Sequence, residues 1–188
     1  FTLAGYEFIR SASTVLFKSA YGAENLPLVM AAMPVVVFCG VALYGWILSQ
    51  LGPRRTLLVT SLGSAVVILC CYLVLLTGSK AITPVLFLFK ELYIVLLIEQ
   101  YWSYIDSSIS SSTAKKVNGP ITGIAGIGGA VGGMLVAMSA ESLGTESMVL
   151  MAAIALIPAA LVSNLAYRSF GEPEIPSKAE SRGHLALS

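Results

Sequence analysis

Six apolar stretches, each about 20 residues long, dominate this chain of 188 residues. A helix needs roughly 20 apolar residues to cross the hydrocarbon core of a bilayer, so each stretch is long enough for one span. The segments between them contain Gly, Pro or runs of Ser and Thr, which favour turns. The pattern predicts an all-α integral membrane bundle of about six transmembrane helices over residues 1–170. The stretches lie at residues 1–19, 26–49, 56–77, 82–105, 119–139 and 147–167.

The composition indicates a location in the bilayer. Hydrophobic residues make up 56% of the chain and charged residues 11%, whereas soluble domains contain about 25% charged residues. The formal net charge is +1, and the sequence has no stripe of Lys and Arg of the kind that binds nucleic acid. We therefore expect the lipid bilayer, and no nucleic acid, as a partner.

The cations are divided unevenly between the two ends of the predicted spans. If the six spans alternate in direction, Lys18 and Lys80 lie on one side of the membrane. The positive-inside rule makes the other, more basic side cytoplasmic, so both termini are predicted to be cytoplasmic. The cations on that side are Arg54, Arg55, Lys115, Lys116, Arg168, Lys178 and Arg182.

The two ends of the chain differ in character. Residues 171–188 are polar, contain two prolines and show no sustained periodicity, which predicts a flexible cytoplasmic linker or tail. Phe1 already lies in an apolar run without a charged segment before it. We therefore expect a segment of a longer protein rather than a signal peptide.

The residues that most often carry catalysis are scarce. The single histidine, His184, lies in the polar tail, and the three cysteines lie inside apolar runs. This arrangement excludes Ser/His/Asp and Cys/His catalysis and leaves no cluster for a metal site. We expect no enzymatic activity, no metal and no cofactor.

The turn after the second stretch, "GWILSQLGPRRTLLV" at residues 45–59, carries a recognisable pattern. It resembles the loop signature between the second and third helices of the major facilitator superfamily, which implies a gating loop. The matching residues are Gly45, Gly52, Arg54 and Arg55, while Ser49 stands where the signature has an acid. The alternative interpretation is a tight cytoplasmic turn whose arginines set the topology.

The fifth stretch holds seven glycines within residues 119–137. Small residues three or four positions apart allow helix backbones to approach closely, so the spacing predicts a packing helix, which could also slide or rock. A dinucleotide-binding fingerprint is rejected because it needs a preceding strand and a glycine where Val131 stands. The predicted packing residues are Gly119, Gly123, Gly128, Gly129, Gly132 and Gly133.

The fourth stretch carries ionisable groups in an otherwise apolar run. At about 100° per residue, Glu91, Glu99 and Trp102 lie within about 80° of one another on a helix. Since carboxylates are costly in lipid, that side is predicted to face the bundle or a hydrated cavity. Lys90 lies on another side near the outer end, where its ammonium is expected to reach the membrane boundary.

The first stretch offers an opposite charge, because Arg10 lies about midway along it. At 1.5 Å per residue, Glu91, whose helix enters from the other side of the membrane, reaches a similar depth. Arg10 could therefore pair with Glu91 or bind an anionic solute through its planar guanidinium. The alternative is that Glu7 and Arg10, three residues apart on one helix, pair with each other.

Four patterns in sequence order carry a resemblance to a known family. They are "YEFIR" at 6–10, "GAENLP" at 22–27, "KEL" at 90–92 followed by "YW" at 101–102, and "TAKKVNGPITGIAG" at 113–126. Together they resemble the ATP/ADP translocases, the nucleotide transporters of plastids and intracellular bacteria, and their bacterial relatives. Transport in that family depends on a basic residue in the first helix and an acid in the fourth, positions matched here by Arg10 and Glu91.

The resemblance implies the N-terminal half of a twelve-helix carrier, located in a bacterial inner membrane. Its second half would lie on the same chain or on another one. The implied function is exchange of an anionic solute, foremost ATP and ADP, by alternating access. Arg10, Glu91, Glu99 and Trp102 would form the substrate site. The alternative is a scaffold subunit of a larger membrane complex that does not transport.

Overall fold

The computed structural model describes residues 2–108 and 111–170, and all of these lie in helices or in short turns between them. This confirms the all-α prediction for the described part of the chain. The predicted tail at 171–188, with Lys178 and Arg182, lies outside the described residues. The helices are α1 (Thr2–Tyr21), a 3-10 turn (Ala23–Asn25), α2 (Leu26–Leu76), α3 (Ile82–Ser108), α4 (Ser111–Leu143) and α5 (Thr145–Phe170).

Three helical stretches are long and apolar enough to cross a membrane: Ala23–Leu76, Asn118–Ser139 and Thr145–Leu165. The first of these is 54 residues long, more than twice the length that one span requires. It contains α2, which is interrupted at Gly52, where φ is 74° and ψ is 169°. We call residues 26–51 segment α2a and residues 53–76 segment α2b.

Segments α2a and α2b run in opposite directions along α3. In α2a, Gly40 lies against Leu92 and Tyr44 lies within electrostatic range of Glu99, so α2a is parallel to α3. In α2b, Thr60 is hydrogen-bonded to Gln100 near the end of α3, whereas Leu75 lies in the same core cluster as Leu86, near the start of α3. Segment α2b is therefore antiparallel to α3. The reversal needs a residue that tolerates a positive φ, and glycine does so without a steric penalty.

The turns predicted at 21–27, 50–55, 77–84 and 141–147 are confirmed, and each contains a glycine with positive φ. These glycines are Gly22, Gly52, Gly78 and Gly144. The polar segment at 107–120 differs from the prediction, because α3 continues to Ser108 and α4 already begins at Ser111. Serine favours the first positions of a helix, where its side chain can accept hydrogen bonds from free backbone amides.

Helix α1 lies at the centre of the bundle and packs against α3, α4 and α5, while α2 packs against α3 and α5. The main core is apolar and is built from α1, α2b, α3 and α5. Its buried members are Phe8, Ile9, Ala12, Ile68, Cys71, Leu75, Leu86, Tyr93, Met148, Val149, Ala152, Ala153 and Leu156. A smaller core at the other end of α1 consists of Phe17, Val29 and Phe87.

Candidate functional site

An ion pair on α3 joins the core of the bundle to its surface. The Lys90 ammonium donates to Oε1 of Glu91 at 2.6 Å. Lys90 is only 5% exposed, whereas the Glu91 side chain is 28% exposed. Adjacent residues on a helix point in different directions, so the two side chains bend toward each other around the helix. The cation therefore lies inside the bundle and the anion at its edge.

The second ion pair lies within α1. Arg10 Nη1 donates to both carboxylate oxygens of Glu7, at 3.3 and 3.4 Å. The Arg10 side chain is 57% exposed. Among the described residues, Arg10 therefore pairs with Glu7 and not with Glu91. An exposed pair of this spacing contributes only about 0.3 to 0.5 kcal/mol, so the guanidinium is easily released for another anion.

Tyr6 connects the two pairs. Its phenol interacts electrostatically with Glu91 as well as with Arg10 and Glu7, and its ring lies 6.5 Å from that of Tyr93 on α3. The Tyr93 hydroxyl in turn donates to the backbone carbonyl of Thr2 at 3.4 Å, which ties the start of α1 to α3. We call Glu7, Arg10, Lys90 and Glu91 the charge quartet. It contains two cations and two anions and is formally neutral.

The orientation of α3 differs in part from the prediction. The prediction that Lys90 reaches the membrane boundary is wrong, because this lysine is buried. Gln100 is buried as well, whereas Glu99 is exposed and Trp102 is 40% exposed. The core-facing side is set by the apolar residues Leu86 and Tyr93, which lie at helical spacing with Lys90 and Gln100. Packing of this apolar stripe, rather than avoidance of exposed carboxylates, determines how the helix is turned.

A cavity of about 440 Å³ lies between residues of all five helices, and its lining residues do not include the quartet. Its wall includes Trp102 and the polar residues Gln100 and Tyr101, together with Ser61, Thr122 and Ser163. Gln100 Nε2 donates to Thr60 Oγ1 across to α2b. Within the described part of the chain, Gln100 Oε1 and the Tyr101 hydroxyl lack a hydrogen-bond partner. Of the predicted substrate residues, Arg10 and Glu91 belong to the quartet, Trp102 lines this cavity, and Glu99 is exposed.

The predicted gating loop lies at the reversal between α2a and α2b. Gly52 supplies the positive φ, and Thr56 Oγ1 donates to the Gly52 carbonyl at 2.7 Å. Arg54 Nε donates to Asn164 Oδ1 on α5 at 3.0 Å, whereas Arg55 and Gly45 are exposed. The arginine thus connects the turn to the last helix. Ser49, at the position where the signature has an acid, donates to the carbonyl of Trp46 at 2.7 Å.

The glycines of α4 lie in two different environments. A Cβ on Gly132 would be 2.6 Å from the Ala4 Cα and 2.9 Å from the Ala4 carbonyl oxygen of α1. The other five predicted packing glycines have open space where a side chain would begin. They are Gly119, Gly123, Gly128, Gly129 and Gly133. Within this chain, Gly132 is the predicted packing glycine at which two helix backbones meet.

Several residues of the site did not figure among the candidates from sequence. Lys90 and Gln100 are ten residues apart, which is close to three helical turns, and both are polar residues in an apolar run. This spacing could have indicated from sequence that the two side chains lie on one side of the helix. Tyr6 and Asn164 gave no such signal, because their roles depend on which helices pack together. The described residues contain no group of three or more His, Cys, Asp and Glu side chains that could hold a metal ion.

The fold and the helix lengths fit an integral membrane location for an all-α chain. No protein-family model matches the chain, and comparisons with curated proteins and with solved structures give no match either. The function must therefore be inferred from the charge quartet and its surroundings.

Proposed function

We propose that this chain is the N-terminal six-helix half of a carrier that moves an anionic solute across a membrane by alternating access. The observation that carries the proposal is the charge quartet between α1 and α3. Lys90 is the ninth residue of α3, about 12 Å along the helix from its first residue. Charges at such a depth cost about 2.5 to 3.5 kcal/mol each on insertion scales, and they usually mark a solute or ion pathway.

The exposure of Arg10 supports a pathway in particular. Its side chain is 57% exposed on the isolated bundle, and an arginine facing lipid at this depth would be unfavourable. A second six-helix half, on the same or another chain, would cover this face and leave a hydrated cleft. Glu99 and Trp102 are also exposed and would contribute to that cleft, with Glu99 tuning its hydration or coupling an ion.

The carrier proposal includes the number of spans and the side of the membrane on which the termini lie. With α2a and α2b counted separately, the chain has six spans and both termini are cytoplasmic, as the excess of Arg and Lys at one end favours. A bacterial inner membrane is the proposed location. The cations of the quartet favour an anion as solute, because Arg and Lys bind phosphate oxygens through charge-assisted hydrogen bonds. ATP and ADP are the first candidates.

Exchange of radiolabelled ATP against ADP in liposomes tests the proposal, with the bundle reconstituted together with its second half. The Arg10→Ala variant should exchange at least about tenfold more slowly, because a hydrogen bond to a charged group contributes about 1.5 to 3 kcal/mol. The Glu91→Ala variant should also exchange more slowly, because the empty state then leaves Lys90 buried without a counter-charge. Lys18→Ala is the matched control, since Lys18 is an exposed cation on the same helix. Unchanged exchange rates in both quartet variants would refute these roles.

A second candidate function is a non-transporting scaffold subunit, which the uncovered glycines of α4 favour. A Cβ added at Gly119, Gly123 or Gly126 would meet no atom within 4 Å, and such surfaces suit close packing with a helix of another protein. Wild-type protein that is folded in liposomes but exchanges neither nucleotides nor inorganic phosphates would favour the scaffold over the carrier.

A further inference from the structure

Lys90 is a buried cation that is already paired with an anion of the same helix. Its ammonium is bound to Glu91 at 2.6 Å, and it lies 4.2 Å from the centre of the Phe87 ring. A buried lysine is unfavourable without a counter-charge, because removal from water disfavours the charged form. The position therefore requires an anion, and in this state Glu91 supplies it.

Phe87 would keep the ammonium in place if Glu91 moved away. The face of an aromatic ring attracts a cation within about 6 Å of its centre. Phe87 is itself fixed, since it is 4% exposed and its ring lies 5.4 Å from that of Phe17 on α1. The lysine thus has one rigid, uncharged neighbour and one charged neighbour on a flexible side chain.

Glu91 occupies the approach to Lys90. Its side chain is 28% exposed, against 6% for the Lys90 side chain, so the carboxylate lies nearer the surface than the ammonium that it binds. Tyr6 lies close enough to interact with Glu91 and belongs to the helix that carries Arg10. A carboxylate that left Lys90 would therefore remain near α1, where the Tyr6 hydroxyl can receive it.

We propose that Lys90 is a second solute-binding cation and that Glu91 is an internal competitor that occupies it while the site is empty. The inference rests on the proposed anion transport and deepens it. An anionic group of the solute displaces the Glu91 carboxylate from the Lys90 ammonium, while Arg10 binds another. The ligand class is a solute with at least two anionic groups, such as a pyrophosphate or a nucleoside polyphosphate.

The direction in which Glu91→Gln changes the affinity for anions tests the inference. Glu91→Gln removes the competing charge and keeps an oxygen that can accept from Lys90, so the protein should remain folded. Calorimetric titration of the purified full chain, together with its second half, with inorganic pyrophosphate and with ATP should then show binding at least about fivefold tighter than in the wild type, the lower end of typical coupling between sites. The double variant Lys90→Met with Glu91→Gln should bind at least about fivefold more weakly than Glu91→Gln alone.

Two controls separate a local effect from a change in overall charge. Glu24→Gln adds the same charge at an exposed position, and Lys80→Met removes an exposed lysine; both should leave the affinity unchanged. Weaker or unchanged binding in Glu91→Gln would overturn the inference, and it would leave the carrier proposal standing if the wild type binds and exchanges anions. A wild type that neither binds nor exchanges any of these anions would overturn both proposals.

Discussion

Glu91→Ala is expected to destabilise the bundle by about 3 kcal/mol, because it leaves the Lys90 ammonium buried without a counter-charge. The alanine side chain offers no acceptor, and the neighbouring Phe87 ring replaces only part of the lost attraction. We place the value at the lower end of the range for broken buried pairs because the Glu91 side chain is 28% exposed. Thermal denaturation in detergent micelles, followed by circular dichroism, should show a lower midpoint.

The double variant Lys90→Met with Glu91→Ala should recover most of that loss, since methionine fills the lysine position without a charge. The four proteins form a double-mutant cycle that isolates the coupling between the two side chains. Glu99→Ala is the comparison on the same helix, and its exposed position predicts a change within about 0.5 kcal/mol. A double variant that is as unstable as Glu91→Ala would show that the carboxylate stabilises the fold through some contact other than Lys90.

This stability effect bears on how loss of transport is interpreted. Slower exchange in Glu91→Ala could result from partial unfolding as well as from a lost role in transport. Arg10→Ala does not have this ambiguity, because Arg10 is exposed and its pair with Glu7 is weak. Normalising the exchange rate of Glu91→Ala to its folded fraction in the liposomes separates folding from function.

The turns of the fold could be predicted from sequence because they depend on local chemistry. Gly22, Gly52, Gly78 and Gly144 each lie at the reversal where they were expected, since a positive φ is favourable for glycine alone among common residues. The start of α4 could not be predicted in this way, because a Ser-rich segment is compatible with both a loop and a helix start.

The site was only partly predictable, because side-chain partners depend on how the helices are turned and crossed. The pair of Arg10 with Glu7 was one of two alternatives from sequence and is the one observed, whereas the pair of Glu91 with Lys90 was not predicted. A helical wheel centred on the carboxylates placed Lys90 outside. A wheel centred on the apolar residues Leu86 and Tyr93 would have placed it inside, since apolar packing sets the buried side.

Gly132→Ala is expected to destabilise the bundle by about 3 kcal/mol, the upper end of the usual cost of overpacking. The new Cβ would lie 2.6 Å from the Cα and 2.9 Å from the carbonyl oxygen of Ala4, and backbone atoms cannot rotate away as a side chain can. Helix α1 also has no room to retreat. Its next residue, Gly5, faces α5 so closely that a Cβ there would lie 2.9 Å from the Cβ of Ala155.

Gly133→Ala, one residue further along α4, is the matched control. Its Cβ would meet no atom within 4 Å, and alanine is the better helix former by about 1 kcal/mol. The same chemical change is therefore expected to lower the denaturation midpoint at position 132 and to leave it unchanged or raise it at position 133. Equal midpoints for the two variants would contradict the close approach of α1 and α4.

The close approach also links helix packing to the charge quartet. Ala4 is one helical turn before Glu7 and less than two turns before Arg10, so a shift of α1 at Gly132 moves both charges relative to Lys90 and Glu91 on α3. Gly132→Ala should therefore slow anion exchange more than its loss of folded protein explains, when rates are normalised to the folded fraction in the liposomes. Normalised rates equal to those of Gly133→Ala would show that the position of α1 is not critical for the quartet.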